Sequence, residues 1–183
     1  MGYEAAIGKA WEELEKAAEE KVFAVRFLAD TYTIDRERRS VISEACNIPA
    51  KDFTGILILH YLLRKIQGLP KLEGEWVAFK ELSGIEGYGE AFRKRSIEPI
   101  LRKYGKNPDG LLEAGSRYSG RRLPQGDVGV AIDAFEGVPV AVLMWRCDDE
   151  FGPEANILFD RSLPKIFCTE DIVVLAGIVA GAL

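Results

Sequence analysis

The chain has 183 residues, of which 48% are apolar and 29% charged, and it carries a net charge of −5 at pH 7. This length and composition are those of one globular domain, 1–183, large enough to bury a core without a disulfide scaffold or a structural metal. The negative charge argues against nonspecific nucleic-acid binding, and the three widely separated cysteines form no CxxC pair, which excludes the usual zinc-ribbon and cluster-binding spacings.

The first half of the chain predicts two helices with a β-hairpin between them. Apolar residues three and four apart over 7–25, opposite a glutamate-rich face, predict an amphipathic helix. Thr, Tyr, Ile and Val on both sides of a charged turn predict a hairpin with strands in 30–34 and 39–43. Asp52 is a favourable N-cap for a second helix at 53–67, and this helix is apolar nearly all round, so we expect it in the centre of the domain.

The second half predicts strands framed by helices. In chain order the predicted elements are a strand at 76–80, helices at about 90–104 and 111–118, a basic loop, strands at 128–135, 138–145 and 156–160, and a last helix capped by Thr169. Short connections indicate antiparallel neighbours. The predicted fold class is therefore α+β, a mainly antiparallel sheet with a central apolar helix and flanking N- and C-terminal helices.

The sequence also indicates a compartment. The N-terminus lacks a basic region followed by an apolar one, so no signal peptide is expected. Unpaired cysteines fit a reducing cytoplasm. The longest apolar stretch, 172–183, is shorter than the roughly 20 residues that a membrane-spanning helix needs. We therefore expect a cytoplasmic protein that binds neither membranes nor nucleic acid.

Several short segments carry a resemblance to a known family. They are Leu-His-Tyr-Leu at 59–62, Gly-Glu-Trp-Val-Ala-Phe-Lys-Glu-Leu at 74–82, Trp-Arg-Cys-Asp-Asp-Glu-Phe at 145–151, Ile-Leu-Phe-Asp at 157–160 and Thr-Glu-Asp at 169–171. With them the chain resembles the domain of unknown function 3786 family of anaerobic bacteria and archaea. The resemblance implies an anaerobic, cytoplasmic setting in corrinoid or one-carbon metabolism. In that family the domain sometimes follows an iron–sulfur module whose cysteines this chain lacks, so a cluster would come from a partner.

His60 is the one histidine, and it lies in the most apolar predicted helix. Imidazole suits cobalt and iron, so His60 is a candidate axial ligand of a corrinoid or a haem. The alternative is a buried imidazole hydrogen-bonded to the backbone or to a carboxylate. Aromatic residues of the segment 76–88 would either wall the same pocket or belong to the core. The candidate cofactor-binding residues are His60, Trp76, Phe79, Lys80, Glu81 and Tyr88.

The acidic residues near two predicted strands are the most concentrated group of potential ligand or catalytic side chains in the chain. If those strands pair, their carboxylates could converge at one end of the sheet and bind Mg²⁺ or Ca²⁺, or act together as acid and base. The alternative is a solvated turn that accepts hydrogen bonds, and the spacing does not match an EF-hand loop. The candidate metal ligands are Asp148, Asp149, Glu150 and Asp160.

Two weaker patterns favour anion binding. Gly84, Gly87 and Gly89 precede a predicted helix, where flexible loops can bind anions, although neither the Walker A nor the dinucleotide order is present and a plain turn is the alternative. A loop with Arg117, Arg121 and Arg122 would suit carboxylates or phosphates. These arginines could equally be solvated or ion-paired, for example with Asp127.

Three functional hypotheses follow. The first is a non-catalytic binding or accessory module whose pocket lies between the His60 helix and the segment 76–88, and which binds a corrinoid or a related tetrapyrrole. The second is a small metal-dependent enzyme that uses the acidic cluster. The third is a structural subunit that docks on a larger complex through an exposed apolar patch of several hundred Å². The expected partner is a small-molecule cofactor or a protein, with iron–sulfur and corrinoid proteins as candidates.

Overall fold

The computed structural model describes residues 2–183, and it confirms the α+β class, since helices accompany two sheets whose strand pairs are all antiparallel. The chain packs as two compact units, one that ends at Pro70 and one from Lys71 to Leu183. One domain for 1–183 remains a prediction.

The first unit combines two helices with a three-stranded sheet. Its elements are α1 (Gly2–Ala17), β1 (Val22–Phe27), β2 (Asp30–Asp35), β3 (Ser40–Ser43) and α2 (Asp52–Gln67), and the strand order is β1-β2-β3. The predicted hairpin is confirmed, with Thr33 opposite Ile42. Helix α1 packs against α2, with Trp11 and Leu14 buried.

The prediction that the first helix continues to position 25 was wrong. Helix α1 ends at Ala17, and Val22 and Val25 belong to strand β1. Spacings of three and four also occur by chance in a strand, and here Val25 and Phe27 are buried on one face while their neighbours are exposed. This segment therefore forms a strand because its main chain pairs with β2.

Helix α2 is buried along most of its length. Buried residues fill positions 55–59 and 61–63. The N-cap is Lys51, so the prediction of Asp52 as the cap was wrong by one residue. Asp52 lies in the first turn, where its negative charge interacts favourably with the helix dipole. A central position for this helix in the whole protein remains a prediction.

The second unit contains a five-stranded sheet in the order β4-β8-β7-β6-β5. Its elements are β4 (Trp76–Ala78), a 3-10 turn (Phe79–Glu81), α3 (Gly89–Phe92), a π-helical turn (Arg93–Ile97), α4 (Glu98–Tyr104), α5 (Gly110–Ser116), β5 (Arg121–Leu123), β6 (Val128–Phe135), β7 (Val138–Trp145), β8 (Glu154–Asp160), a second 3-10 turn (Leu163–Lys165) and α6 (Thr169–Ala182). Strands β6 and β7 are buried on both faces over most of their length and form the centre of this sheet.

Three local predictions in this unit need correction. The strand predicted for 76–80 ends at Ala78, because Phe79 begins the 3-10 turn. The predicted basic loop contains the edge strand β5, since Arg121 and Arg122 pair with β6. Thr169 is not the cap of α6, because Cys168 holds that position and the Thr169 hydroxyl donates instead to the Gly84 carbonyl at 2.9 Å.

Candidate functional site

Asp160 ends β8, and its buried carboxylate is saturated with hydrogen bonds. The backbone N–H groups of Glu73 and Gly74 donate to Oδ1 and Oδ2 at 3.0 and 2.8 Å. The Ser162 N–H and hydroxyl donate to Oδ1 at 3.0 and 2.6 Å. Burial alone would raise the pKa of Asp160, but these hydrogen bonds outweigh burial and hold the pKa below its usual value. This carboxylate therefore joins the segment before β4 to the end of β8.

The other predicted metal ligands lie in the loop between β7 and β8. Asp148 Oδ1 accepts hydrogen bonds from the backbone N–H groups of Phe151 and Glu150, at 2.7 and 2.9 Å, and these bonds lower the pKa of Asp148. The carboxylate thus stabilises a tight turn of the kind that Asp favours. Asp149 and Glu150 are exposed.

The structure does not bring the four carboxylates together at one end of the sheet. The predicted pairing of β7 with β8 is present. Because the pair is antiparallel, however, the connecting loop with Asp148 meets the start of β8, whereas Asp160 is at its other end. Six residue steps of a strand separate these ends by roughly 20 Å. Across residues 2–183, no group of three or more His, Cys, Asp or Glu side chains is placed to hold a metal ion.

His60 lies in the first unit and is partly exposed, although the residues on both sides of it in α2 are buried. The other predicted cofactor-binding residues, Trp76, Phe79, Lys80, Glu81 and Tyr88, lie in the second unit.

Three of these residues have structural contacts in the second unit. The Phe79 ring is buried and stacks on Phe92 with centroids 4.1 Å apart. Glu81 Oε2 accepts the Ala78 N–H at 2.7 Å and closes the 3-10 turn. The Tyr88 hydroxyl donates to Glu170, and this hydrogen bond raises the pKa of Tyr88.

The remaining two differ in exposure. Trp76 is half-buried at the start of β4, opposite Asp160, and Lys80 is exposed. A ligand-binding role for these five residues remains a prediction.

The predicted anion sites have local explanations. Gly84 and Gly87 have φ of +74° and +83°, a conformation that favours glycine, so the turn alone accounts for both residues. Arg121 approaches Asp133 at 3.8 Å across the β5–β6 pair. Asp127 is not its partner, because Asp127 accepts the backbone N–H of Arg146 at 2.7 Å.

Cys168 is a poor candidate for a reactive thiol. Burial raises the pKa of Cys168 to about 12, so the side chain is a neutral thiol at physiological pH. Its Sγ donates to Asp171 Oδ2 at 3.3 Å, at the start of α6.

Sequence reasoning missed an open groove in the second unit. The π-helical turn and α4 form one wall with Arg93, Ile97 and Leu101, and the segment 151–155 before β8 forms the other. The groove encloses about 350 Å³, which is within the range of ligand pockets. Phe151 is 66% exposed, more than any other large apolar side chain that the structure describes. The available signal was this phenylalanine directly after three acidic residues, where burial is not expected.

Comparison with known proteins identifies the family to which the chain belongs. No curated protein and no solved structure matches the chain. Within residues 2–183, no helix combines the length and apolar character needed to span a membrane. A family model described as a domain of unknown function (DUF3786) matches residues 10–182, nearly the whole chain. The chain therefore belongs to the domain of unknown function 3786 family, as its resemblance predicted.

Proposed function

We propose that this protein is a non-catalytic binding or accessory module, with a corrinoid or a related tetrapyrrole as its ligand and His60 as the axial ligand to the metal. The observation that carries this proposal is the partial exposure of His60, whose neighbours Leu59 and Tyr61 are almost fully buried. A partly exposed imidazole is a good ligand for cobalt or iron. A cytoplasmic, anaerobic setting is part of the proposal.

The positions of the carboxylates support a binding role over catalysis. Asp160 and Asp148 accept hydrogen bonds that hold loops in place, and Glu81 closes a turn. An acid–base pair or a hard-cation site needs carboxylates that face a common point. The hypothesis of a metal-dependent enzyme gains no support from this arrangement.

Optical titration tests the ligand. We would add aquocobalamin, and separately haemin, to the purified protein under anaerobic conditions and record the visible spectrum. Coordination by His60 predicts a saturable shift at one equivalent. His60→Ala should weaken binding at least roughly tenfold. Gln67→Ala, about two helical turns along the same face of α2, is the matched control and should bind as the wild type does.

Either of two results would overturn the proposal. One is an unchanged spectrum with both macrocycles, and the other is equal affinity of the wild type and His60→Ala. Circular dichroism of the variants shows whether a loss of binding reflects the ligand or the fold.

A docking role is the second candidate function, and the groove favours it. An exposed phenylalanine beside a concave surface of mixed polar and apolar character is typical of a protein-interaction site. The candidate partner class is an iron–sulfur or corrinoid protein. A purified protein of either class should bind the immobilised wild type more strongly than it binds immobilised Phe151→Ser. Equal binding to both would count against this role for any partner of that class.

A further inference from the structure

Apolar side chains line both walls of the groove of the second unit. Ile97, which is buried, and Leu101, which is half-buried, line the helical wall, and Phe151 and Pro153 line the other. Phe151 exposes two thirds of its surface, so covering it removes a large apolar area from water. Centrally placed aromatic side chains of this kind supply much of the affinity of protein interfaces.

The helical wall of the groove is cationic. Arg93 lines this wall, and Lys94 and Arg102 follow lining residues; both Lys94 and Arg102 are exposed and have no acidic partner among residues 2–183. Glu98 lies between them and pairs with Arg93 at 3.9 Å, so the wall keeps a net positive charge. The π-helical turn contributes to this arrangement, because it holds about one residue more than an α-helical turn. Two turns that include it therefore hold about eight residues, so residues eight apart lie on the same side of the helix. Lys94, which follows the lining residue Arg93, thus lies on the same side as Arg102, which follows the lining residue Leu101.

The loop wall of the groove is anionic. Asp149 and Glu150 immediately precede Phe151, and Glu154 lines the groove itself. All three side chains are exposed, and the described part of the chain gives none of them a basic partner. Positive charge on and beside the helical wall and negative charge on and beside the loop wall therefore lie on opposite sides of the groove.

We propose that the occupant of this groove is a second copy of this chain, in a symmetric dimer. A two-fold axis through the groove places the cationic wall of each copy against the anionic wall of the other, as a self-complementary interface requires. It also places each Phe151 against the apolar side chains of the other copy's groove. This inference rests on the proposed docking role of the groove, with a second copy of the chain in place of an iron–sulfur or corrinoid protein as the occupant, and it does not depend on cofactor binding by His60.

The charge pattern favours a second copy over other partners. A nucleic acid, an anionic membrane or a uniformly acidic protein would be attracted by the cationic wall but repelled by the anionic wall next to it. A partner that carries both signs in the opposite arrangement meets attraction on both sides. The chain itself has that arrangement once it is rotated by 180°.

Charge reversal on one wall at a time gives a decisive test. The first variant is Lys94→Glu with Arg102→Glu, and the second is Asp149→Lys with Glu150→Lys. Sedimentation velocity at about 100 µM should show wild-type particles of twice the 20.3 kDa of one chain. Each variant alone should sediment as a monomer, because both of its wall contacts then join like charges. An equimolar mixture should form a heterodimer, because both wall contacts become attractive again.

Two further variants separate the groove from general charge effects. Phe151→Ser should raise the dimer dissociation constant at least about tenfold. Lys16→Glu with Lys71→Glu makes the same change in net charge as Lys94→Glu with Arg102→Glu, at exposed lysines outside the groove lining, and it should leave the dimer unchanged. Every substituted side chain is exposed, so the fold should persist, and circular dichroism checks this.

Three outcomes would overturn the dimer. They are a wild type that stays monomeric, charge-reversed variants that dimerise as the wild type does, and an equimolar mixture that stays monomeric. A monomeric wild type leaves the docking role standing, because that role is tested separately by binding of an iron–sulfur or corrinoid protein to the wild type and to Phe151→Ser.

Discussion

At the scale of single residues, the carboxylate of Asp160 has a structural role. A buried charge is costly unless hydrogen bonds satisfy it, and Asp160 accepts four from Glu73, Gly74 and Ser162. These donors belong to segments far apart in the chain. The side chain therefore contributes to stability, and its acidity follows from that role.

Replacing Asp160 by Asn should lower the free energy of unfolding at pH 7 by about 2–3 kcal/mol. The Asn side chain has one acceptor oxygen in place of two. Its NH₂ group would face a backbone N–H donor, which would lose its hydrogen bond. Urea denaturation measures the loss. Asp148→Asn is the control and should cost less, since that carboxylate is exposed in its loop.

Asp160→Asn should also change how the free energy of unfolding depends on pH in the acid range. The pKa of Asp160 is lower in the folded protein than the ordinary aspartate value of 3.8, so its stabilisation is present above pH 3.8 and is lost as the pH falls through the folded pKa. The wild type should therefore lose its advantage over Asp160→Asn in that acid range. A stability difference that stays constant down to pH 2 would contradict the hydrogen-bonded, ionised state of Asp160.

At the scale of elements, the helical path from α3 to α4 is interrupted by the π-helical turn. Ser96 in this turn is fully buried, and its hydroxyl has no hydrogen-bond partner among the residues described. The turn packs against β8 and against α6, where Gly177 lies close to the Arg95 backbone. A small side chain suits this close packing, which accounts for the size of Ser96 but not for its hydroxyl.

Ser96→Ala should leave stability unchanged or raise it by up to about 1 kcal/mol, because it removes a buried hydroxyl that forms no hydrogen bond. Ser162→Ala is the matched comparison, since Ser162 is equally buried but donates to Asp160. That substitution should lower stability by about 1–2 kcal/mol. Chemical denaturation of both variants gives the two values. A clear loss of stability in Ser96→Ala would show that its hydroxyl does have a partner in solution.

At the scale of the whole molecule, each of the two units has its own buried residues, and the chain between them contains an exposed stretch. Residues 68–75 form no helix or strand, and Lys71 and Leu72 are exposed. Segments of this kind are preferred sites of proteolysis, because a protease must bind its substrate in an extended form.

Limited digestion with trypsin should therefore cut first after Lys71 and release fragments 1–71 and 72–183, which mass spectrometry identifies. Lys71→Gln should remove this cut and slow the loss of intact chain. If the first cut falls inside either unit instead, the connection is protected in solution. That result would favour the prediction of one domain for 1–183.

Much of the fold could be predicted because its signals are local. The hairpin of β2 and β3, the strands β6 and β7 and the helix at 53–67 follow from residue alternation, turn residues and apolar runs. The prediction failed at 22–25, where one apolar pattern fits both a helix and a strand. Pairing with β2 decides between them, and that partner is not visible in a local window.

The sequence by itself determined the α+β class, the family and the list of residues able to do chemistry, because these depend on residue type and order. The tertiary structure alone decided where those residues lie and which of them are close together. Antiparallel pairing of β7 and β8 places the acidic loop and Asp160 at opposite ends of a strand, and Phe79 is buried in the core. The groove beside Phe151 likewise exists only in the folded chain, because its two walls come from residues about 50 positions apart and meet through packing.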